Sequence, residues 1–227
     1  MDGMKILNLY AGLGGNRHLW EDVEVTAVEY DAAIAAVYSQ MHPSDEMVVG
    51  DAHQFLLDHS HEYDLIWSSP PCQSHSRMIR GGRNRRPRYP VMDLYQEVIF
   101  LTYDFSGEGQ FWVVENVKPY YEYLIEPNAI IGRHVFWSNF EFDDVEDVPQ
   151  PEGFIMTGTA AGVPKLKEWL GLEYESKNLY YEGNHDPCQV LRNCVHPILG
   201  KDILNRCPLK HKWDDNERLG QGALFDG

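Results

Sequence analysis

One thiol in this chain stands in a setting made for chemistry. Ser68-Ser69-Pro70-Pro71-Cys72-Gln73-Ser74-His75-Ser76 follows Tyr63-Asp64-Leu65-Ile66-Trp67, a short apolar run that reads as a buried strand. The diproline stops that strand and stiffens the turn after it. Cys72 is thereby carried to the carboxyl end of a strand, where open α/β sheets build their sites. A thiolate is the most nucleophilic common side chain, so the chemistry on offer is covalent addition. A free cysteine is more often a small buried hydrophobe, and the rest of the chain decides against that reading. Residues 109–114 read as another strand, which ends in Glu115-Asn116-Val117. A carboxylate one strand away on the same sheet edge gives Cys72 an acid partner.

The elements that must position this pair follow from pattern. Lys5-Ile6-Leu7-Asn8-Leu9-Tyr10 reads as the first strand, and Ala11-Gly12-Leu13-Gly14-Gly15-Asn16 as a Gly-rich turn. Glycines there let the backbone turn tightly and approach a ligand, with a helix expected to begin at Arg17. The spacing is G-x-G-G rather than G-x-G-x-x-G, which disfavours a nicotinamide cofactor. Residues 23–30 alternate and are β-branched, so they form a second strand ending in Glu29, an acid suited to a ribose diol. Asp31 fits better as the cap of a helix over residues 31–41. A third strand, residues 46–52, ends in Asp51, a candidate acceptor for the exocyclic amine of an adenine ring. A short helix over 53–61 precedes the strand that delivers Cys72.

The order β-α-β-α-β-α-β predicts a doubly wound, mostly parallel sheet. Its strand ends, Gly12 to Gly15, Glu29 and Asp51, suit an adenosine-containing ligand. Downstream, residues 90–101 have helical spacing, 120–125 read as a short helix, and 133–140 as a strand. Residues 164–172 suit a short helix, Arg192 to Leu204 end in a helical pattern, and the polar tail after Pro208 is expected to fray.

Composition narrows the function classes. The chain has 227 residues, 43% hydrophobic, enough for one domain or one with a small appendage. No apolar run reaches 18 residues, so no membrane partner is expected, and Met1 to Lys5 lead into a strand without a secretory leader pattern. Cys72, Cys188, Cys194 and Cys207 form no C-x-x-C pair, so no metal is expected, and a reduced cytoplasmic protein is the simplest reading. The formal net charge is -16, against non-specific nucleic-acid binding. Yet Arg77, Arg80, Arg83, Arg85, Arg86 and Arg88 place six of the 19 basic residues within twelve positions, just after Cys72. That cluster reads as a phosphate clamp rather than a solvated loop.

At this point the motifs resemble the cytosine-5 DNA methyltransferase family. Asn8-Leu9-Tyr10-Ala11-Gly12-Leu13-Gly14-Gly15 resembles its first motif, which wraps the methionine end of S-adenosylmethionine. Glu29 resembles its ribose acid, Asp51 its adenine acid, Pro70-Pro71-Cys72-Gln73 its nucleophile motif and Glu115-Asn116-Val117 its second catalytic motif. Arg192-Asn193-Cys194-Val195-His196-Pro197 is similar to the last motif, which returns beside the cofactor. The order along the chain is also the family's.

The resemblance implies a Rossmann-like methyltransferase sheet with a small C-terminal appendage. It implies a catalytic domain over 1–142, a reduced target-recognition or linker region over 143–189 and a returning segment over 190–227. It implies S-adenosylmethionine as cofactor and double-stranded DNA as partner, with RNA second and a homodimer or partner subunit allowed. Cys72, Glu115, Asn116 and Arg133 are then the catalytic set. Tyr10 to Gly15, Glu29, Tyr30, Asp51, Ala52, Pro70, Asn193 and Val195 are the cofactor set. Gln73, Ser76, Arg77 and the other clustered arginines are the nucleic-acid set.

There are departures. Asn8 and Tyr10 replace the usual Asp and Phe, and His75 replaces a common Phe. Arg133 and His134 are the only candidates for the arginine-rich eighth motif, and the target-recognition segment is short. Compact relatives point to a phage or prophage source, a restriction-modification setting and a bacterial cytoplasm. The acidic charge also admits a catalytically silent, DNA-mimicking subunit, against which intact Cys72 and Glu115 argue.

Overall fold

The computed structural model describes residues 3–77, 88–105, 107, 109–154, 162–175, 179 and 187–209. Its frame is a seven-stranded sheet. The strands are β1 (Met4–Leu9), β2 (Val23–Glu29), β3 (Glu46–Val49), β4 (Leu65–Ser68), β5 (Phe111–Val117), β6 (Ala129–Ile131) and β7 (His134–Ser138). The spatial order is β3-β2-β1-β4-β5-β7-β6. The first five strands pair in parallel, whereas β7 is antiparallel to both β5 and β6. The doubly wound, mostly parallel sheet expected from the sequence is therefore present. The order reverses between β1 and β4, and a switch point of this kind opens a crevice at the carboxyl strand ends.

The central strands are mostly apolar because both of their faces are covered. Ile6, Trp67 and Phe136 point into one core, which α6 (Pro197–Arg206) closes with Leu199, Ile203 and Leu204. Leu7, Ile66 and Val114 point into the other, against α2 (Ala52–His59) and α3 (Asp93–Asp104). Each fully buried side chain of this size stabilises the fold by about 1.5–3 kcal/mol. A third cluster joins Leu13 and the helix α1 (Ala32–Met41) to α4 (Gly162–Leu170) and α5 (Pro187–Asn193).

Two expectations need correction. No helix begins at Arg17; residues 15–19 are turns. Arg17 instead turns inward, with Nε and Nη2 on the Asp45 carboxylate and Nη1 on the Trp20 carbonyl, while Trp20 Nε1 donates to the Gly200 carbonyl. These contacts, to Asp45 and Gly200 above all, hold the segment as a series of turns. Residues 120–125 are also not helical. Tyr120 N–H donates to the His75 carbonyl and Leu124 N–H to the Tyr95 hydroxyl, so neighbouring segments take the groups a helix needs. As expected, β5 ends in Glu115-Asn116-Val117. The antiparallel pairing with β7 carries it through Glu115, Asn116 and Val117. The tail after Pro208 lies outside the described residues from 210 onward.

Candidate active site

The crevice holds a cavity of about 480 Å³, within the range of small-molecule sites. Its first wall comes from the ends of β1, β2 and β3. After β1 the chain turns through Tyr10 (φ 55) and Gly12 (φ 54). A left-handed tyrosine is strained by roughly 1–2 kcal/mol and needs an anchor. The anchor is Glu97 of α3, fully buried, whose Oε1 accepts from the Tyr10 hydroxyl at 2.6 Å. The same carboxylate accepts from Ser68 Oγ at 2.5 Å and pairs with His53 Nδ1 at 2.9 Å. Burial and the adjacent Glu97 charge push the Tyr10 phenol far above its ordinary range, so it stays a donor.

Glu29 is buried, and its oxygens accept from the N–H groups of Gly12 and Asp31, each at 2.9 Å. Burial raises its pKa above the ordinary carboxylate value. Each carboxylate oxygen can accept twice, so Glu29 retains capacity for ligand hydroxyls. Asp31 caps α1 through Oδ1, as expected. Asp51 also caps a helix, its Oδ1 accepting from His53 and Gln54 of α2. The sequence reading gave Asp51 only a ligand role, but it lines the cavity while holding the helix.

The second wall carries the thiol. Ser68 pairs with Val114, so the loop leaves β4 beside Glu115, which stays in β5. Pro70 and Pro71 lead into a single 3₁₀ turn over Cys72–Ser74. Asn116 Nδ2 donates to the Pro70 carbonyl at 2.9 Å, and Ser74 Oγ accepts from Val91 N–H at 3.0 Å. Asn116 thus holds the loop from behind and is not in the cavity lining, whereas Cys72, Gln73, Glu115, Val117 and Arg88 are. Burial and the Glu115 charge push the Cys72 thiol up to about 11, while Arg133 pulls it back. The resting side chain is therefore a protonated thiol.

The third wall returns from far along the sequence. Arg133 Nη2 donates to the carbonyls of Arg192 and Cys194, which bind the end of α5 to β7. Its Nε finds no hydrogen-bond partner among the described residues. Asn193, Cys194 and Val195 complete the lining. Gly15 makes this closure feasible, because a Cβ there would lie 2.5 Å from the Val195 carbonyl oxygen. His196 then caps α6, its Nδ1 accepting from Ile198 N–H and its Nε2–H donating to the Trp169 carbonyl. Burial keeps it neutral by lowering its pKa, consistent with one acceptor and one donor nitrogen.

The structure brings together Cys72, Glu115, Arg133 and all the expected cofactor residues except Gly14, which packs against Tyr38 and His42. Ser76 bridges to Pro119, and Arg77 Nε donates to the Pro119 carbonyl beside a second, open pocket with Tyr120 and Tyr121. Arg80, Arg83, Arg85 and Arg86 lie outside the described residues. Sequence reasoning did not assign Asn16, Asp31, Ser69, Pro71, Val117, Val190 or Cys194 to the lining. It also missed the contact of His134 Nδ1 with Glu115 Oε1 at 2.6 Å. Only β-strand register reveals that contact, since Glu115 lies opposite Phe136, two residues from His134. The cavity presents Glu29, Asp31, Asp51 and Glu115 against Arg88 and Arg133. That balance favours a cationic ligand with hydroxyl donors.

The family model for C-5 cytosine-specific DNA methylases matches residues 4–120. A tRNA (cytosine(38)-C(5))-methyltransferase of Homo sapiens is 21% identical over 211 residues, covering 87% of this chain and 50% of the relative. The type II methyltransferase M.NgoPII of Neisseria gonorrhoeae is 38% identical over 121 residues, covering 51% of this chain and 33% of the relative. The chain thus spans half or less of the curated relatives it matches. Among solved structures, a DNMT2 mutant from Spodoptera frugiperda superposes with a TM-score of 0.41 at 18% identity, covering 76% of this chain and 60% of that one. Among the described residues, no helix is long and apolar enough to cross a membrane.

Proposed function

The chain belongs to the C-5 cytosine-specific DNA methylase family, whose methyl donor is S-adenosylmethionine, and from that premise we propose that it methylates carbon 5 of cytosine in DNA through a covalent adduct on Cys72. The observation that carries this reading is the sharing of one cavity by Cys72, Glu115 and the acid-lined wall of Glu29 and Asp51.

The residues present fit the donor. Four carboxylates against two guanidiniums suit a sulfonium and an ammonium, and buried Glu29 can accept from a ribose diol. Glu29, Tyr30, Asp51 and Ala52 would hold the nucleoside. The turn from Tyr10 to Gly15, with Pro70, Asn193 and Val195, would hold the amino-acid end. Bound there, S-adenosylmethionine supplies an electrophilic methyl group.

Activating the base falls to the protein. Carbon 5 of cytosine is a poor nucleophile. Cys72, once deprotonated, forms a bond from Sγ to carbon 6. The electron pair of the carbon 5–carbon 6 double bond shifts towards carbon 4, and nitrogen 3 takes a proton from Glu115. Carbon 5 then has enamine character and can attack. Once it carries the methyl group, it gives its proton to solvent, the electron pair of that C–H bond re-forms the carbon 5–carbon 6 double bond, Cys72 leaves as the thiolate with the pair of the carbon–sulfur bond, and nitrogen 3 returns its proton to Glu115. Arg133 is the nearby cation that opposes the high thiol pKa. The cytosine must leave its stack to reach the cavity. Gln73, Ser76, Arg77 and Arg88, with Arg80, Arg83, Arg85 and Arg86 between them, are the nucleic-acid contacts of this reading.

RNA is the second reading. The tRNA-directed relative aligns with 87% of the chain, whereas the higher identity of 38% to M.NgoPII favours DNA. Random-sequence duplex and RNA pools containing 5-fluorocytosine separate them. Fluorine at carbon 5 cannot leave as a cation, so the adduct stalls as a denaturation-resistant band. A band with the duplex pool is the expected result, a band with RNA alone moves the substrate to RNA, and no band with either favours a silent subunit.

A further inference from the structure

For Glu115 to act as an acid, its proton must point at the base. In antiparallel pairs, residues diagonal across the ladder reach one another, and His134 stands diagonal to Glu115. Both are buried, at 5% and 6% exposure, and His134 Nδ1 lies 2.6 Å from Oε1. The neighbouring cation does not compete for this position. Arg133 spends Nη2 on the carbonyls of Arg192 and Cys194, and its guanidinium lies over the Phe154 ring, 5.1 Å from the centroid. A carboxyl group has two oxygens, and only the one without a strong donor is free to carry the acid proton.

We propose that His134 is the positioning residue of Glu115: its Nδ1–H donates to Oε1, which leaves Oε2 to carry the proton to nitrogen 3 of the base. The ring is then the Nδ1–H tautomer in the resting enzyme. The proton that moves during addition travels from Oε2 to nitrogen 3 and returns during elimination, while the Nδ1 proton stays where it is. Two features fix the imidazole for this task. Its backbone is locked in the β5–β7 and β6–β7 ladders, opposite Val117 and Ile131, and the Phe136 ring lies alongside at 6.2 Å. This inference rests on Glu115 being the acid, and the test separates the two.

Three variants serve: His134→Leu removes the donor, His134→Asn restores an N–H near the Nδ1 position, and Glu115→Gln removes the acid. The readout is the rate of adduct formation with the 5-fluorocytosine pools, alongside S-adenosylmethionine affinity by calorimetry. His134→Leu is expected to slow the adduct about 100-fold, a typical share of general acid catalysis, with unchanged donor affinity. His134→Asn recovers at least about tenfold of that loss. In the Glu115→Gln background, His134→Leu adds no further loss, since residues acting through one group are not additive. Equal loss in the Leu and Asn variants, or full additivity with Glu115→Gln, overturns the proposal. A Glu115→Gln enzyme as fast as wild type instead overturns the acid role beneath it. Nitrogen-15 spectra of histidine-labelled protein decide independently of substrate. They should show His134 protonated at Nδ1, and an Nε2–H tautomer accepting from Glu115 also overturns the proposal.

Discussion

The two sides of the cavity are built on opposite principles. The wall of Tyr10, Glu29 and Asp51 comes from three consecutive strand ends, and local backbone N–H groups fix its acids in place. The wall of Glu115, Arg133 and Val195 is assembled from β5, β7 and the segment after α5, and long-range contacts hold it. The first wall resembles a preformed socket. The second depends on the whole chain having folded, which suits the part that carries the chemistry.

If the second wall carries the reaction, the largest single effect belongs to Cys72. Cys72→Ser should abolish the fluorocytosine adduct, a loss beyond about 10⁴-fold, because an alcohol at neutral pH lacks the nucleophilicity of a thiolate. Its thermal stability and S-adenosylmethionine affinity should match wild type. A surviving adduct would move the nucleophile elsewhere and break the division between the walls.

The socket is tested by Glu29→Ala. Removing a carboxylate that accepts two backbone N–H bonds and is assigned to the ribose should weaken S-adenosylmethionine by about 10- to 100-fold. Calorimetry reads this directly. The loss should appear even where the adduct assay is not run, and an unchanged affinity would remove Glu29 from the ligand.

How much of each wall was legible follows from the same contrast. Glu29, Asp51 and the glycine turn could be read because each sits at the end of a strand whose period is plain, and Cys72 because two prolines mark it. The chain past Val117 was harder. β6 has three residues, α5 has seven, and neither carries enough period to be seen. The His134–Glu115 contact depends on the register between strands, and register is set by pairing rather than by local pattern. Arg17 was misread for a related reason. Its turn is held by Asp45 and Gly200, residues that no window around it includes. Glu97 does not stand out within the helical spacing of residues 90–101, yet it is the fully buried partner of Tyr10, Ser68 and His53.

That buried carboxylate links the walls, since Tyr10 belongs to the socket and Ser68 leads into the thiol loop. Glu97→Ala strips buried Ser68 and the half-buried Tyr10 and His53 of their shared acceptor and should destabilise the protein by about 2–4 kcal/mol, measured by urea unfolding. A loss below about 1 kcal/mol would mean that the network relaxes and does not couple the walls. Gly15→Ala acts where the walls touch. Its Cβ would press on Val195 and Cys194, so a cost of about 1–3 kcal/mol is expected, with weaker S-adenosylmethionine binding.

The smallest effect expected, and the one that reads the electrostatics between the walls, is the titration of Cys72. Burial comes first in holding the thiol near 11, the Glu115 charge adds to it and the Arg133 cation subtracts. The sign for each variant follows. Near so high a midpoint, and with no base bound, a carboxylate is ionised, and a negative neighbour disfavours the thiolate, so Glu115→Gln should lower the midpoint. A neighbouring positive charge favours it, so Arg133→Leu should raise the midpoint. The measurement is the rate of Cys72 alkylation against pH, in the absence of nucleic acid. Cys188, Cys194 and Cys207 are replaced by Ala so that only one thiol reports. Reactivity in this background should climb through neutral pH towards the high midpoint, as the thiolate fraction grows with each step in pH. Opposite displacements in the two variants would place both charges within reach of sulfur. Displacements of the same sign would mean that altered burial outweighs the charges, and the thiol loop would then be less firmly held than its contacts with Asn116 and Val91 imply.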